Sequence, residues 1–155
     1  MGKPTTGSKA PVSPDATRGP ARMVAGIVGL IFLIVGVLGF IPGVTTNYDQ
    51  MQWLGHDSGA HLLGIFQVSI LHNIVHLLFG VAGLAAATTA TLARWYLFGS
   101  GVIYLALWLY GLIINQESAA NFVPLNNADN WLHLGLGLGL IILGLLVRRG
   151  SGVRS

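Results

Sequence analysis

The sequence has no cysteine and very few charged residues. Its 155 residues include 8 Lys and Arg and 5 Asp and Glu, so that only 8% are charged, against roughly 25% in a soluble globular domain. The missing cysteines exclude disulfide scaffolds, thiolate zinc sites, cysteine-ligated iron–sulfur clusters and cysteine nucleophiles. The scarcity of charge accompanies 53% apolar residues and a mean hydropathy of +0.69. Together these values exclude a water-soluble single domain and a wholly disordered chain.

The chain also lacks any basic run interleaved with aromatic residues. Its isoelectric point of about 9.7 arises only from the small excess of Lys and Arg over Asp and Glu. Without a basic stripe, the electrostatic footprint of a nucleic-acid-binding surface is missing. We therefore expect no nucleic-acid partner.

What the sequence does contain is four long apolar runs, each close to the roughly 20 residues that a helix needs to cross a bilayer. We predict an all-α integral membrane four-helix bundle, with the lipid bilayer as its surroundings. The predicted transmembrane domain covers residues 22–149, with helices at about 22–41, 72–93, 95–114 and 130–148. Residues 1–21 are rich in Gly, Pro, Ser and Thr, which predicts a disordered tail, and residues 150–155 form a short second tail.

The basic residues are segregated from the acidic connections. All 8 Lys and Arg fall in the N-terminal tail, at Arg22 directly after it, at Arg94, or at the C-terminal end, whereas the connections at 42–61 and 115–130 contain none. Positive charge is retained on the cytoplasmic side of a membrane. We therefore expect a multi-pass protein of the bacterial plasma membrane, with both tails and the short connection at Arg94 in the cytoplasm.

Two of the predicted helices share a polar motif. The stretch His72-Asn73-Ile74-Val75-His76-Leu77 aligns with Asp129-Asn130-Trp131-Leu132-His133-Leu134, and Gly80 then aligns with Gly137. Both copies begin on the same side, which suggests two parallel-repeat helical hairpins. The repeat predicts that the second helix starts near His72, and that residues 59–70 form a short interfacial helix or turn.

These motifs carry a family resemblance. Residues 63–84, with His-Asn-x-x-His, and residues 127–139, with Asp-Asn-x-x-His, resemble a family of small four-helix membrane proteins found mainly in actinobacteria and catalogued only as a domain of unknown function. The resemblance extends over about residues 22–148. It implies the topology and a membrane location, but no reaction.

The repeated motif allows a binding interpretation and a structural one. His72 and His76 are four residues apart and share a helix face, as do Asp129 and His133, so the set could hold a metal ion, with Asn73 and Asn130 supporting it. His76 and His133 could alternatively ligate haem, or the cluster could hold a quinone. In the structural interpretation, Asp129, Asn130 and Asn73 cap helices and the other groups form hydrogen bonds between helices. The sequence favours the structural interpretation, with no cofactor.

Gly135 and Gly139 form a G-x-x-x-G pattern within the last apolar run. Small residues at this spacing let membrane helices approach closely. We predict helix packing at these glycines, preferably within the bundle, with an oligomer face as the alternative.

The function predicted from these observations is a non-enzymatic accessory or structural membrane protein that packs with itself or within a larger complex. The alternative is a binding module that holds a metal or redox cofactor on its outer side. No nucleophile, acid–base pair or phosphate-binding loop is evident, and His56 and His61 receive no role.

Overall fold

The computed structural model describes residues 19–149. Disorder was predicted for residues 1–21, of which 1–18 lie outside the described residues, as does the second tail at 150–155. At residues 19–21 the prediction is wrong, because the first helix begins at Gly19. The elements in chain order are α1 (Gly19–Leu38), β1 (Thr45–Thr46), a 3-10 turn (Tyr48–Gln50), β2 (His61–Leu62), β3 (Phe66–Gln67), α2 (Ile70–Ala86), α3 (Ala90–Ile113) and α4 (Asn127–Arg149). The predicted four-helix fold is confirmed, and helices α1, α3 and α4 are each long and apolar enough to cross a membrane.

The second helix is shorter than predicted, and Arg94 is not in a connection. Helix α2 ends at Ala86, and α3 begins at Ala90 because the hydroxyl of Thr89 accepts a hydrogen bond from the backbone amide of Leu92 at 3.2 Å. Such a cap fixes a helix start. The connection is therefore the turn at 87–89, and Arg94 lies inside the first turns of α3.

Equivalent caps start α2 and α4. The Ser69 hydroxyl accepts from the His72 amide at 3.1 Å, and the side-chain oxygen of Asn126 accepts from the Asp129 amide at 2.9 Å. The two helices therefore begin at Ile70 and Asn127, a few residues before the predicted starts. The N-cap positions considered for Asn73, Asp129 and Asn130 are occupied instead by Ser69 and Asn126.

A small antiparallel sheet lies where a short helix or turn was predicted. Its strand order is β1-β2-β3, with Thr45 opposite Leu62 and Leu62 opposite Phe66. The Ser58 hydroxyl, 1% exposed, donates to the carbonyl of Val68 at 2.6 Å. Ladder bonds and buried side chains thus satisfy backbone groups that would otherwise be costly to bury. We call this part of the molecule the sheet end, and the opposite end, with Arg22 and Arg94, the basic end.

The helices pair as two hairpins, α1 with α2 and α3 with α4. We call the contact between the two helices of a hairpin its seam, and the glycine contacts of the two seams are equivalent. A Cβ on Gly29 would lie 2.8 Å from the Leu84 nitrogen and 2.9 Å from the Gly80 carbonyl oxygen. A Cβ on Gly101 would lie 2.9 Å from both the Ile141 nitrogen and the Gly137 carbonyl oxygen. The equivalent residue of α3 has a number 72 higher than the residue of α1, and the equivalent residue of α4 has a number 57 higher than the residue of α2. The predicted repeat is therefore present in the contacts as well as in the motif.

The two hairpins meet through aromatic residues at equivalent positions. The Phe32 ring of α1 stacks on the Tyr104 ring of α3, with centroids 5.6 Å apart and an interplanar angle of 7°. Both side chains are 3% exposed and belong to the main apolar core, which also contains Leu97 and Leu140. This pair lies directly beneath the polar residues of the repeated motif.

Candidate functional site

A cavity of about 120 Å³ lies between the two hairpins at the sheet end. Apolar side chains from the sheet and the helices supply much of its wall. The polar part of the wall consists of the residues singled out from the repeated motif, namely His72, Asn73, His76, Asp129 and His133. We call this space the polar cavity. Residues of both copies of the motif therefore line the same cavity.

The first copy contributes two stacked imidazoles. The rings of His72 and His76 lie 4.6 Å apart at an interplanar angle of 28°, and His76 Nδ1 lies 3.1 Å from the carbonyl oxygen of His72. Because a carbonyl oxygen only accepts, this contact needs the His76 proton on Nδ1. His72 is 6% exposed, and its Nδ1 has no hydrogen-bond partner within the described part of the chain.

The second copy contributes a carboxylate that already accepts two hydrogen bonds from backbone amides. Asp129 Oδ2 accepts from the backbone amide of Asn126 and from that of Gln67, both at 3.1 Å. With the Asn126 side chain capping the Asp129 amide, the first contact completes a reciprocal capping box. The second contact ties strand β3 to α4 across the wall of the cavity. Asp129 is 2% exposed, so these two amides stabilise a buried carboxylate.

His76 and His133 hold equivalent positions against the aromatic pair. The His76 ring lies 5.8 Å from Phe32, and the His133 ring lies 5.2 Å from Tyr104. His133 is 3% exposed, and its Nδ1, like that of His72, has no partner among the described residues. The polar cavity is therefore bounded by two buried imidazole nitrogens that make no hydrogen bond within residues 19–149.

The two asparagines pack against glycines near the ends of the preceding helices. Asn130 donates from its side-chain nitrogen to the carbonyl of Gly111 at 3.1 Å. Asn73 packs in the same way against Gly39, where any Cβ would collide with its amide group, but its nitrogen contacts the sulfur of Met51 at 3.9 Å. Both asparagines therefore lie at the contact between paired helices.

The geometry limits what the polar cavity can hold. Within residues 19–149, no three His, Asp or Glu side chains form a group that could hold a metal ion. Pockets for drug-sized ligands measure roughly 300–1,000 Å³, so a cavity of about 120 Å³ is too small for haem or a quinone. Its size and its unpaired imidazole nitrogens fit a small polar ligand.

Among the described residues, the close packing predicted for Gly135 and Gly139 is not found. A Cβ on either residue would meet no described atom within 4 Å, whereas one on Gly137 would lie 3.0 Å from the Leu105 nitrogen. Gly137 therefore makes the close contact of α4 with α3. Gly135 and Gly139 instead line an apolar groove of about 170 Å³ between α1 and α4, beside Ile31 and Leu136.

Three residues of this region were not anticipated from the sequence, namely Ser69, Asn126 and Gln67. Ser69 and Asn126 each stand three residues before a motif residue, which is the spacing of a helix cap, so this signal was available. Gln67 uses its backbone amide for Asp129 and its side-chain nitrogen for the carbonyls of His56 and Ser58. Nothing in the sequence pattern indicates these long-range contacts.

The comparisons with known proteins bear on the family and not on a reaction. No curated protein and no solved structure matches the chain significantly. Residues 22–146 match a family described as a domain of unknown function, DUF4383. The matched range contains all four helices of the bundle nearly to their ends, both copies of the polar motif and the small sheet. The chain is therefore a member of the DUF4383 family.

Proposed function

We propose that the protein is a multi-pass protein of the bacterial plasma membrane with both termini in the cytoplasm. The support is the segregation of charge, since every Lys and Arg belongs to the tails or the basic end. Helix α2 has 17 residues, a length of about 26 Å, slightly less than the roughly 30 Å hydrocarbon core. Local thinning of the bilayer absorbs such a mismatch at modest cost, so all four helices cross.

Single-cysteine labelling tests this orientation without background, because the chain has no cysteine. Asp57→Cys and Ala119→Cys occupy exposed positions beyond the sheet end of the helices, and Thr88→Cys occupies the exposed turn at the basic end. The first two variants should react with an impermeant maleimide on intact cells, and the third only after lysis. The reverse pattern would contradict the orientation.

Within the membrane, the protein acts as a non-enzymatic accessory subunit that associates with itself or with a larger complex. The observation that supports this role is the outward-facing groove at Gly135 and Gly139. The equivalent face of α2 has Leu78 and Ala82 in place of the two glycines. Small residues exposed on one helix face permit the close backbone approach that drives association of membrane helices.

Filling the groove should therefore disrupt association and spare the fold. Gly135→Leu and Gly139→Leu have room for the new side chains, so each monomer should remain folded while cross-linking between copies, or co-purification of a partner, is lost. The matched control is Ala82→Leu on the equivalent face of α2, which should leave association unchanged. Association that survives both glycine substitutions would contradict the assignment of this face.

A second candidate function, a binding site for a small polar ligand, is favoured by the unpaired Nδ1 atoms of His72 and His133. A metal ion is the binding alternative that the sequence leaves open, although within residues 19–149 no three His, Asp or Glu side chains form a metal-binding group. If the ligand is a metal ion, protein purified without a His-tag or chelators should retain a near-stoichiometric metal, and His72→Ala and His133→Ala should each release it. Acidification should also release the metal, because imidazole must be neutral to ligate. Only trace metal in the wild-type protein would rule out this form of the site.

A further inference from the structure

Two arginines hold equivalent positions at the basic end but make different contacts. Arg22 in α1 and Arg94 in α3 are related by the same 72-residue shift as the glycines of the seams. The Nε of Arg22 donates to the carbonyl of Ala87 at 2.8 Å. That carbonyl follows the end of α2, where the last helical carbonyls lack partners within the helix. Arg22 is therefore engaged in capping its own hairpin.

Arg94 has no such carbonyl to cap. The residue of the second hairpin that is equivalent to Ala87 is Gly144. Gly144 lies inside α4, which continues to Arg149. The Nε of Arg94 donates instead to the carbonyl of Ala90 in its own helix at 3.2 Å. Among residues 19–149 the sole ion pair is that of His56 with Asp57, far along the chain at the other end. The Arg94 guanidinium is thus not neutralised by a described acidic residue.

Arg94 lies at one side of an open cavity of about 470 Å³ between α3 and α4. Thr91 supplies a hydroxyl beside it, and the remaining wall is apolar, formed by Trp95, Phe98 and Leu145. Trp95 is 68% exposed, as suits an indole at the level of the lipid headgroups. The cavity therefore has a cationic side and an apolar side, with a size in the range of a ligand site.

We propose that this cavity binds one anionic phospholipid of the cytoplasmic leaflet. The guanidinium of Arg94 holds the phosphate, since its planar fork of donors matches phosphate oxygens, and the Thr91 hydroxyl donates to the same group. The upper part of an acyl chain lies along Phe98 and Leu145 under the Trp95 ring. Basic pockets between membrane helices on the cytoplasmic side recognise anionic headgroups in this way, and the apolar wall selects a lipid over free phosphate.

Trp95 provides the readout for a test in intact bilayers. A variant with Trp53, Trp108 and Trp131 replaced by Phe retains Trp95 as the single indole. It is reconstituted in phosphatidylcholine vesicles that contain a small fraction of phosphatidylglycerol, with bromine on the acyl chains of one lipid or the other. Quenching by brominated phosphatidylglycerol should exceed its share of the lipid about fivefold, which corresponds to about 1 kcal/mol for one arginine at the membrane surface.

The two arginines serve as matched variants. Arg94→Gln should reduce this quenching to the lipid's bulk share, and Arg94→Lys should retain part of the preference because the charge remains. Arg22→Gln removes an equivalent charge at the same end and should leave the preference intact. Quenching of Trp95 by brominated phosphatidylcholine checks that each variant is inserted.

Three results would overturn the proposal. The first is equal quenching by both lipids in the single-Trp protein. The second is a preference that survives Arg94→Gln. The third is an equal loss in Arg94→Gln and Arg22→Gln, which would mean that only the total charge of the basic end attracts anionic lipid.

Discussion

The first hairpin, α1 with α2, and the second, α3 with α4, are alike along their seams and unlike at their ends. The seams share the contacts of Gly29 and Gly101 with the facing backbone, and the aromatic pair joins equivalent positions. At the sheet end, His72 in one copy stands where Asp129 stands in the other. At the basic end, Arg22 caps a helix and Arg94 faces a cavity. Seam residues therefore report on the fold, and the residues that differ between copies are the candidates for function.

The largest expected effect follows from the equivalence of the seams. Gly29→Val and Gly101→Val each place a side chain against backbone atoms of the paired helix, which cannot move aside. Overpacking of this kind should destabilise the protein by about 3 kcal/mol at each position. The measurement is thermal unfolding in detergent, followed by the helical circular dichroism signal.

The matched control for the seam substitutions is Gly135→Val, which projects into open space and should leave the unfolding midpoint nearly unchanged. The comparison of hairpins fails if one seam tolerates valine while the other does not, because the two contacts would then not be equivalent.

A smaller effect tests where the copies differ. Asp129→Ala leaves the half-buried amides of Gln67 and Asn126 without their acceptor, at a cost of about 2 kcal/mol. His72→Ala, at the equivalent position, should cost less, because the His72 Nδ1 has no hydrogen-bond partner in the described part of the chain. Hydrogen exchange supplies a local readout, since the Gln67 amide should exchange faster in Asp129→Ala.

Asp129→Asn retains one acceptor oxygen and should restore part of the protection at Gln67. If His72→Ala destabilises the protein as much as Asp129→Ala, the imidazole has a contact that the hydrogen bonds do not include.

The seams of the fold were more predictable from the sequence than its ends. Apolar runs of membrane length predicted four helices, because burial in a bilayer needs about 20 apolar residues in succession. The shared Asn-x-x-His pattern predicted the paired hairpins, and the structure places His76 and His133 in the wall of one cavity. Helix boundaries were predicted less accurately. Arg94 was assigned to a connection between helices, whereas Thr89 caps α3 and Arg94 lies inside that helix.

The sheet end could not be read from local pattern. Its strands have two residues each, too few for an alternating pattern, and they are held by contacts such as that of Gln67 with Asp129, 62 positions apart. The G-x-x-x-G spacing marked glycines that face outward, because the same helix carries Gly137 on its packed face and spacing alone does not orient a helix.

The smallest expected effect asks whether different side chains perform one task in the two hairpins. Asn130 satisfies the carbonyl of Gly111 near the end of α3. Near the end of α1, the Thr45 hydroxyl lies 3.1 Å from the Leu38 carbonyl and 3.2 Å from that of Gly39, and Asn73 donates to neither.

Asn130→Ala should therefore cost about 0.6 kcal/mol more than Asn73→Ala, the average for a hydrogen bond between membrane helices, since the space left by the amide is similar. Thr45→Val, which keeps the shape and removes the hydroxyl, should cost about as much as that difference. Unfolding free energies of the three variants decide the matter: equal costs for the two asparagine substitutions would mean that packing against the glycine, and not the hydrogen bond, is what these side chains contribute.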